Sequence, residues 1–515
     1  MAGNPAPDAA PAGGDRRLTV ENRLGVRRLS VLAVLTLVSG VGMAAGAAAP
    51  SPSPSSSSLL PDAIRERAAA LRDDALAGTR ALEIARSLTF EVGPRSAGSP
   101  GDRAGVEWGL RTLRGLGFEN VHAEKVTVPH WDRGTIAGEI VSPWPQPVIL
   151  AALGGSVGTP DAAGAGGIEA EVVGVPSLAV LEQLDPARVQ GKIVFYDVKM
   201  ERTKDIAGYR DAVPVRGAGA SRAARRGAVA VLIRSIGTGH DRFPHTGAMR
   251  YEEGVAKIPA AALASADADL LAAALASGKP VRFRLRSTAR MLPDEESANV
   301  IGDIRGRERP DEIVLLGAHL DSWDLGTGGI DDGAGVAIMT EAARRIGAGG
   351  IGGTKMPRPR RTIRVVLFAN EEFGTSGGRA YAQAHAAELT KHVMAAESDL
   401  GAGRVYRLSS GVLPDHLPQI AELAQLVAPL GVAPGDNEAR GGSDVGPLGA
   451  AGVPLLDLDQ DATLYFDWHH TANDTVDKID PKEIDQNVAA WAALAYAVAE
   501  MPGDLGRAPA GKGRE

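Results

Sequence analysis

Between Asn299 and Glu397, short apolar runs alternate with stretches of helical periodicity: Val300–Ile304, Glu312–Ala318, a helix over Gly335–Ile346, Thr362–Ala369, a helix over Gly378–His385, and Lys391–Glu397. Such alternation predicts an α/β sheet covered by helices on both faces. No internal repeat accompanies it. In an open sheet of this kind ligands collect at the strand ends, and here the residues that follow the runs are histidines and carboxylates.

The run Ile313–Ala318 leads into His319 and Asp321 in GAHLDSWD, and Asp331-Asp332-Gly333 follows 12 positions after His319 and opens a helix. Arg364–Phe368 runs into Ala369-Asn370-Glu371-Glu372, Val393–Glu397 delivers Ser398-Asp399, and Trp468-His469-His470-Thr471 follows Leu455–Leu458 and its acidic loop. Each is ordinary alone: a strand-end histidine is commonly a hydrogen-bonded structural residue, an aspartate opening a helix is a favoured N-cap, and two adjacent glutamates make a solvated turn. Together they form the inventory for a pair of divalent ions sharing one carboxylate. The chain has no Cys, which excludes thiolate nucleophiles, disulfides and sulfur-ligated metals. Oxygen and imidazole donors suit zinc, with cobalt or manganese as substitutes. Two ions roughly 3.5–4 Å apart hold a bridging water and polarise a carbonyl. A free carboxylate must then move protons, and one of the paired glutamates would serve.

The flanking sequence bounds the setting. Residues 1–28 are polar, ending in Arg27-Arg28, and Leu29–Ala49 carries no charge, which is the pattern of an export signal with small residues for cleavage at Ala45–Ala49. The expected location is exported, periplasmic or extracellular, with an uncleaved membrane anchor as the alternative. With 55 Lys plus Arg against 63 Asp plus Glu the net charge is −8, so no basic field favours nucleic acid. From Ala63 to Leu88 apolar residues recur at helical spacing (Ile64, Ala68, Leu71, Ala75), and the breaker-rich GPRSAGSPG follows at Gly93–Gly101. Ile168–Leu285 has another texture, with short apolar runs between small-residue helices, and reads as a separate unit.

GAHLDSWDLGTGGIDDGAG, LFANEEFGTSGG, ESDLGAG and WHHTANDT resemble the metal-site motifs of the two-zinc aminopeptidase and glutamate carboxypeptidase family. The resemblance extends to LRGLGFENVHAEKVTVPHWDRG and PHTGAMRYEEGVAKIPAAAL, and so covers most of the chain beyond about Ala63. It implies two Zn2+, a mixed-sheet α/β exopeptidase core with helices on both faces, and hydrolysis of dipeptides or short peptides by a bridging zinc-bound hydroxide. By that resemblance His319 and Asp399 bind one ion, His470 and Glu372 the other, and Asp331 bridges. Glu371 is the general base and Asp321 orients His319. His470 is preferred over His469 because a Thr-x-x-Asp-Thr pattern follows it. The Asp331–Asp332 peptide is expected to be cis. The implied organisation is an export signal over 1–50, a linker with room for a propeptide over 51–78, the first part of the core over 79–141, an inserted protease-associated α+β domain over 142–290, the core with the metal site over 291–505, and a flexible tail over 506–515. A homodimer is a further expectation by resemblance.

Carboxypeptidase, dipeptidase and aminopeptidase activity remain open. Arg440 is a candidate to pair with a substrate carboxylate, Asp444 to hold an ammonium, and Tyr465 and His469 to stabilise an oxyanion. His245 in FPHTG is either a turn residue or one that reaches the site. Two rival classes remain. A serine hydrolase is suggested by Gly374-Thr375-Ser376-Gly377-Gly378, a formal G-x-S-x-G. A receptor-like relative without activity would lack competent ligands, yet every ligand position and Glu371 is filled.

Overall fold

The run Ile313–Ala318 forms the end of a strand, Arg309–His319, that lies inside an eight-stranded mixed sheet. Its alternate residues feed two different cores: Val314, Leu316 and Ala318 pack with the helices on one face, while Ile313 and Leu315 pack with Val366, Phe368 and Tyr381 on the other. Burial on both sides is why the run is apolar at every position. The computed structural model describes residues 59–160, 166–351 and 354–507, which fall within one compact unit. The expected export signal and residues 508–515 of the expected tail lie outside the described residues.

The order across this sheet is Glu119–Asp132, Arg290–Ile304, Arg361–Phe368, Arg309–His319, His392–Glu397, Leu455–Gln460, Val405–Gly411 and Ala433–Pro434. The four central strands, Arg361–Phe368 through Leu455–Gln460, run parallel, so their carboxyl ends share one edge. The helices Gly333–Gly347 and Pro481–Glu500 cover one face, and Ser376–Ala384 and Gly446–Ala450 the other. A mixed α/β architecture is therefore present.

The helical pattern expected over Ala63–Leu88 is two helices, Asp62–Leu76 and Ala81–Glu91. The break falls at Gly78, whose φ of 135° suits a residue without a Cβ. The first of these helices lies in the stretch expected as a linker. From Asp62 onward that expectation is corrected, because Ile64, Ala68, Leu71 and Ala75 are buried and the helix packs on Pro481–Glu500. At the other end Leu505 is buried and Arg507 donates to the carbonyls of Leu389 and Ala451, so the start of the expected tail is held.

Residues 136–287 build a second eight-stranded sheet, in the order Gln146–Val148, Ile136–Ser142, Arg282–Ser287, Ile168–Val175, Ile193–Tyr196, Ala230–Arg234, Ala260–Leu263 and Leu150–Ala152. The helices Pro214–Ala224 and Ser265–Ala276 pack on it through two apolar clusters of its own. Among the described residues no helix is long and apolar enough to cross a membrane.

His392 opens a central strand and is buried between the Tyr381 hydroxyl (2.9 Å) and the Glu388 carbonyl (3.1 Å). Burial pushes its pKa down to about 4. The unfolded chain, titrating near 6.5, then binds more protons than the folded chain between pH 4 and 6.5, so stability is lost as pH falls through that window. The expected outcome is a melting temperature that drops on acidification, with a shallower slope for His392→Gln. Parallel slopes for the two proteins contradict it.

Candidate metal centre

The shared edge of the four parallel strands gathers the carboxylates and histidines. His319 is the last residue of its strand and is fully buried. Its main-chain N–H donates to Asp332 (3.1 Å) and its Nδ1 faces the main-chain carbonyl of Asp321 (3.0 Å). A carbonyl only accepts, so Nδ1 carries a proton, and Nε2 faces Asp331 Oδ1 and Asp399 Oδ1, each 3.2 Å away; against the downward push of burial, these carboxylates hold the imidazole pKa well above its usual range. The Asp321 carboxylate stands 3.7 Å from the same Nδ1, while its Oδ1 accepts the Glu371 N–H at 2.9 Å. Asp321 thus holds His319 by its main chain and Glu371 by its side chain.

The Asp331–Asp332 peptide is cis. Asp332 caps the helix Gly333–Gly347 by accepting the Gly335 N–H at 2.9 Å. Capping falls to one aspartate, and its neighbour is left to the cluster. Asp331 presents Oδ1 to His319 at 3.2 Å and Oδ2 to Nε2 of His470 at 3.3 Å. His470 Nε2 also lies 2.9 Å from Glu372 Oε2. His470 Nδ1 faces the Thr246 carbonyl at 3.3 Å, which fixes its tautomer in the sense already described for His319. His469 stacks on His470 with ring centroids 3.5 Å apart, its Nε2 is 3.7 Å from Asp331, and its buried Nδ1 has no hydrogen-bond partner. Tyr465 is buried and hydrogen-bonds to Asp331.

Electrostatics oppose this gathering. Burial, then the neighbouring Asp399, push Glu371 up to about 7. Burial and Asp331 hold Glu372 well above the usual carboxylate range, and burial raises Asp399. For Asp331 the upward push of burial is outweighed by the His319 hydrogen bond and the nearby histidines. Burial, followed by His469 and Arg216, keeps His470 neutral. Asp321 Oδ2, Asp331 Oδ2 and Glu372 Oε1 are buried without a hydrogen-bond partner. Unpaired buried carboxylate oxygens are costly, and a divalent cation removes that cost.

The donor spacing fits such an ion. Two ligands about 2.0–2.1 Å from a tetrahedral zinc stand roughly 3.3 Å apart, close to the 3.2 and 3.3 Å from Asp331 to His319 and His470 and the 2.9 Å from His470 to Glu372. The triads His319–Asp331–Glu372, His319–Glu371–Asp399 and Asp331–His469–His470 each bring their ligand atoms within 4.8 Å of one another. His319, Asp331, Glu371, Glu372, Asp399, His469 and His470 are therefore brought together.

Other candidates fall elsewhere. Arg440 is exposed and anchored at its main-chain nitrogen by Asp457 (2.8 Å), with no side-chain contact to the cluster among the described residues. Asp444 is fully buried: its N–H donates to Glu397 (2.8 Å), its Oδ1 accepts the Gly378 N–H (3.0 Å), and its Oδ2 has no hydrogen-bond partner. His245 is buried, down at about 4 through burial, and bonds to the His469 main chain. Ser376 Oγ accepts from Asn370 (2.7 Å) at the start of a helix, eight residues beyond the strand end Phe368, which is not a strand-to-helix elbow.

Three contributors carried little signal in the sequence. Arg95, inside the breaker-rich GPRSAGSPG, is fully buried and donates to the carbonyls of Leu320 (2.5 Å), Thr327 (2.7 Å) and Gly328 (2.9 Å), clamping the loop between His319 and Asp331. Ser443 hydrogen-bonds Glu371. Arg216, in an Ala- and Gly-rich helix, approaches His470 Nδ1 to 3.5 Å. A lone arginine among breakers or alanines gives no periodicity to read; each is recognised by the carbonyls that surround it.

Comparison with known proteins agrees with this cluster. Residues 299–495 match the family model for peptidase family M28. Carboxypeptidase Q of Mus musculus is 35% identical over 422 residues, covering 82% of this chain and 86% of that protein. The crystal structure of a peptidase M28 precursor from Shewanella amazonensis is 48% identical with a TM-score of 0.83, covering 86% of this chain and 98% of that one. A zinc aminopeptidase from Bacillus subtilis, 20% identical with a TM-score of 0.59 over 82% of this chain and 95% of its own, shares the fold. The chain belongs to peptidase family M28, and it is a peptidase.

The orphaned oxygens predict that zinc raises the melting temperature of the metal-free chain and that Asp331→Asn abolishes most of the increase, because ligand binding to the folded state alone stabilises it. A wild-type melting temperature indifferent to zinc contradicts this.

Proposed function

We infer that the chain is an exported, zinc-dependent exopeptidase that hydrolyses dipeptides or short peptides, acting from the carboxyl end. The observation that carries the two-ion reading is Asp331, which turns one oxygen to His319 and the other to His470. His319 with Asp399 would hold one ion, His470 with Glu372 the other, and Asp331 would bridge. Zinc bound there supplies a lowered pKa for water and polarisation of the scissile carbonyl.

The chain's own groups do the rest. Glu371, held by Asp321 through its N–H and by Ser443 through its carboxylate, is the free carboxylate placed to take a proton and to return it. In hydrolysis the water oxygen bonds to the carbonyl carbon as its proton passes to Glu371; the C–N bond then breaks as that proton passes to the departing amine. Tyr465 and Asp321 orient Asp331 and Glu371. Similarity to carboxypeptidase Q supports the carboxyl-terminal preference. The charge-free Leu29–Ala49 behind Arg27-Arg28 supports export. We assign the second sheet, residues 136–287, to the inserted protease-associated domain expected over 142–290.

The test is hydrolysis of one dipeptide in free, N-acetylated and C-amidated forms by the zinc-loaded chain, with chelated and Glu371→Gln samples alongside. The expected result is turnover lost on amidation and kept on acetylation, abolished by chelation, and reduced about 10²–10⁴-fold in kcat by Glu371→Gln with zinc content unchanged. Loss on acetylation alone makes it an aminopeptidase. Turnover untouched by chelation overturns the metal reading.

A further inference from the structure

The segment that carries His470 is tied to the second-sheet layer along its length. The Ala462 N–H donates to the Lys204 carbonyl (2.9 Å), the Thr238 N–H to Phe466 (2.9 Å), and the Thr246 N–H to His470 (3.0 Å). Arg202 forms a fork on Asp467, with Nη2 at 2.6 Å and Nη1 at 3.1 Å, while Thr238 Oγ1 donates to the same carboxylate at 2.8 Å. Tyr209 stacks on Phe466 with centroids 4.9 Å apart. His470 itself sits at φ 62°, a left-handed conformation that a side chain-bearing residue holds only when its surroundings impose it.

Arg216 lies at the centre of this contact. It is buried, and its Nη2 donates to the Tyr209 hydroxyl at 2.5 Å. Its Nη1 is 3.4 Å from the Thr246 carbonyl and 3.5 Å from His470 Nδ1. The Thr246 carbonyl therefore takes both the guanidinium and the imidazole N–H, and the guanidinium holds that acceptor in place. A Cβ on Gly247 would come within 2.3 Å of Arg216 Nη1, so the glycine after Thr246 is what admits the guanidinium. His319, by contrast, takes its acceptor from Asp321 in its own loop. The two histidines are thus oriented by different parts of the molecule.

We propose that Arg216, acting through the Thr246 carbonyl, is a positioning residue for His470, so that the second-sheet layer sets the occupancy of the Glu372–His470 metal position. The proposal rests on the two-zinc reading above. Groups that orient a ligating histidine are worth roughly 10–100-fold in metal affinity, and the effect here falls on one ion of the two.

The test counts zinc per chain after dialysis of the full-length protein against buffers of graded free zinc, for the wild type, Arg216→Gln, Arg216→Lys and Arg202→Gln. The expected result is two ions on the wild type and, on Arg216→Gln, one ion retained with wild-type affinity and a second weakened roughly 10–100-fold. Arg216→Lys, which keeps a donor and a charge, falls between. Arg202→Gln breaks an ion pair whose arginine is 38% exposed and leaves the interior intact; it shifts the second ion in the same direction, and it carries the test if Arg216→Gln does not fold. Two ions held at wild-type affinity by the variants, or both ions lost together, overturn the proposal. A wild type that takes up only one ion overturns the two-zinc reading, and this inference with it.

Discussion

Everything near the strand ends is arranged around a charge problem: buried Asp331 and half-buried Glu371, Glu372 and Asp399 are packed into one cluster with His319 and His470. Carboxylates crowded in a dry site repel one another and lose their hydration. No arginine or lysine pairs with these four carboxylates among the described residues; the groups that face them are histidines, a tyrosine, a serine and main-chain donors. A divalent cation inside the cluster would relieve that repulsion. Arg95 spends its charge behind the cluster, on loop carbonyls, where it orders Leu320–Gly328 and leaves the carboxylates to the cation.

The fold supplies the geometry that makes such crowding attainable. Parallel strands ending at one edge bring side chains from positions 319, 371, 372 and 399 together without long excursions of the chain. His470 is the exception. It follows the loop after Leu455–Gln460 and owes its placement to Thr246, Arg216 and the Arg202–Asp467 fork, all contacts with the second-sheet layer. That layer therefore does more than border the cluster. It contributes to the half of the cluster that the core sheet alone does not fix.

Legibility in the sequence followed the same division. Runs such as Ile313–Ala318 and Val393–Glu397 were readable because burial on both faces demands apolar residues throughout, and the residues after them were readable because they change abruptly in chemistry. Asp331-Asp332 looked ambiguous between cap and ligand; the structure splits the two jobs between the neighbours. The helix Pro481–Glu500 announces itself less clearly, since nearly all of its residues are buried and it shows no polar stripe to set the period. Gly78 broke a helix that periodicity alone runs together. Arg440 and Asp444 are candidates by their charge alone, and charge does not report that one is exposed and the other braced on Gly378. Arg216 lies in no local pattern, and Thr246, though inside PHTGAMRYEEGVAKIPAAAL, shows no role there, because the role of both exists only across a separation of more than 200 residues.

The central claim is that Asp331 divides the cluster into two ion positions. Anomalous diffraction at the zinc edge from crystals of the zinc-loaded chain tests it most directly. The account predicts two peaks on either side of the Asp331 carboxylate, one against His319 and Asp399 and the other against His470 and Glu372. A single peak, or two peaks with Asp331 touching only one of them, would contradict it.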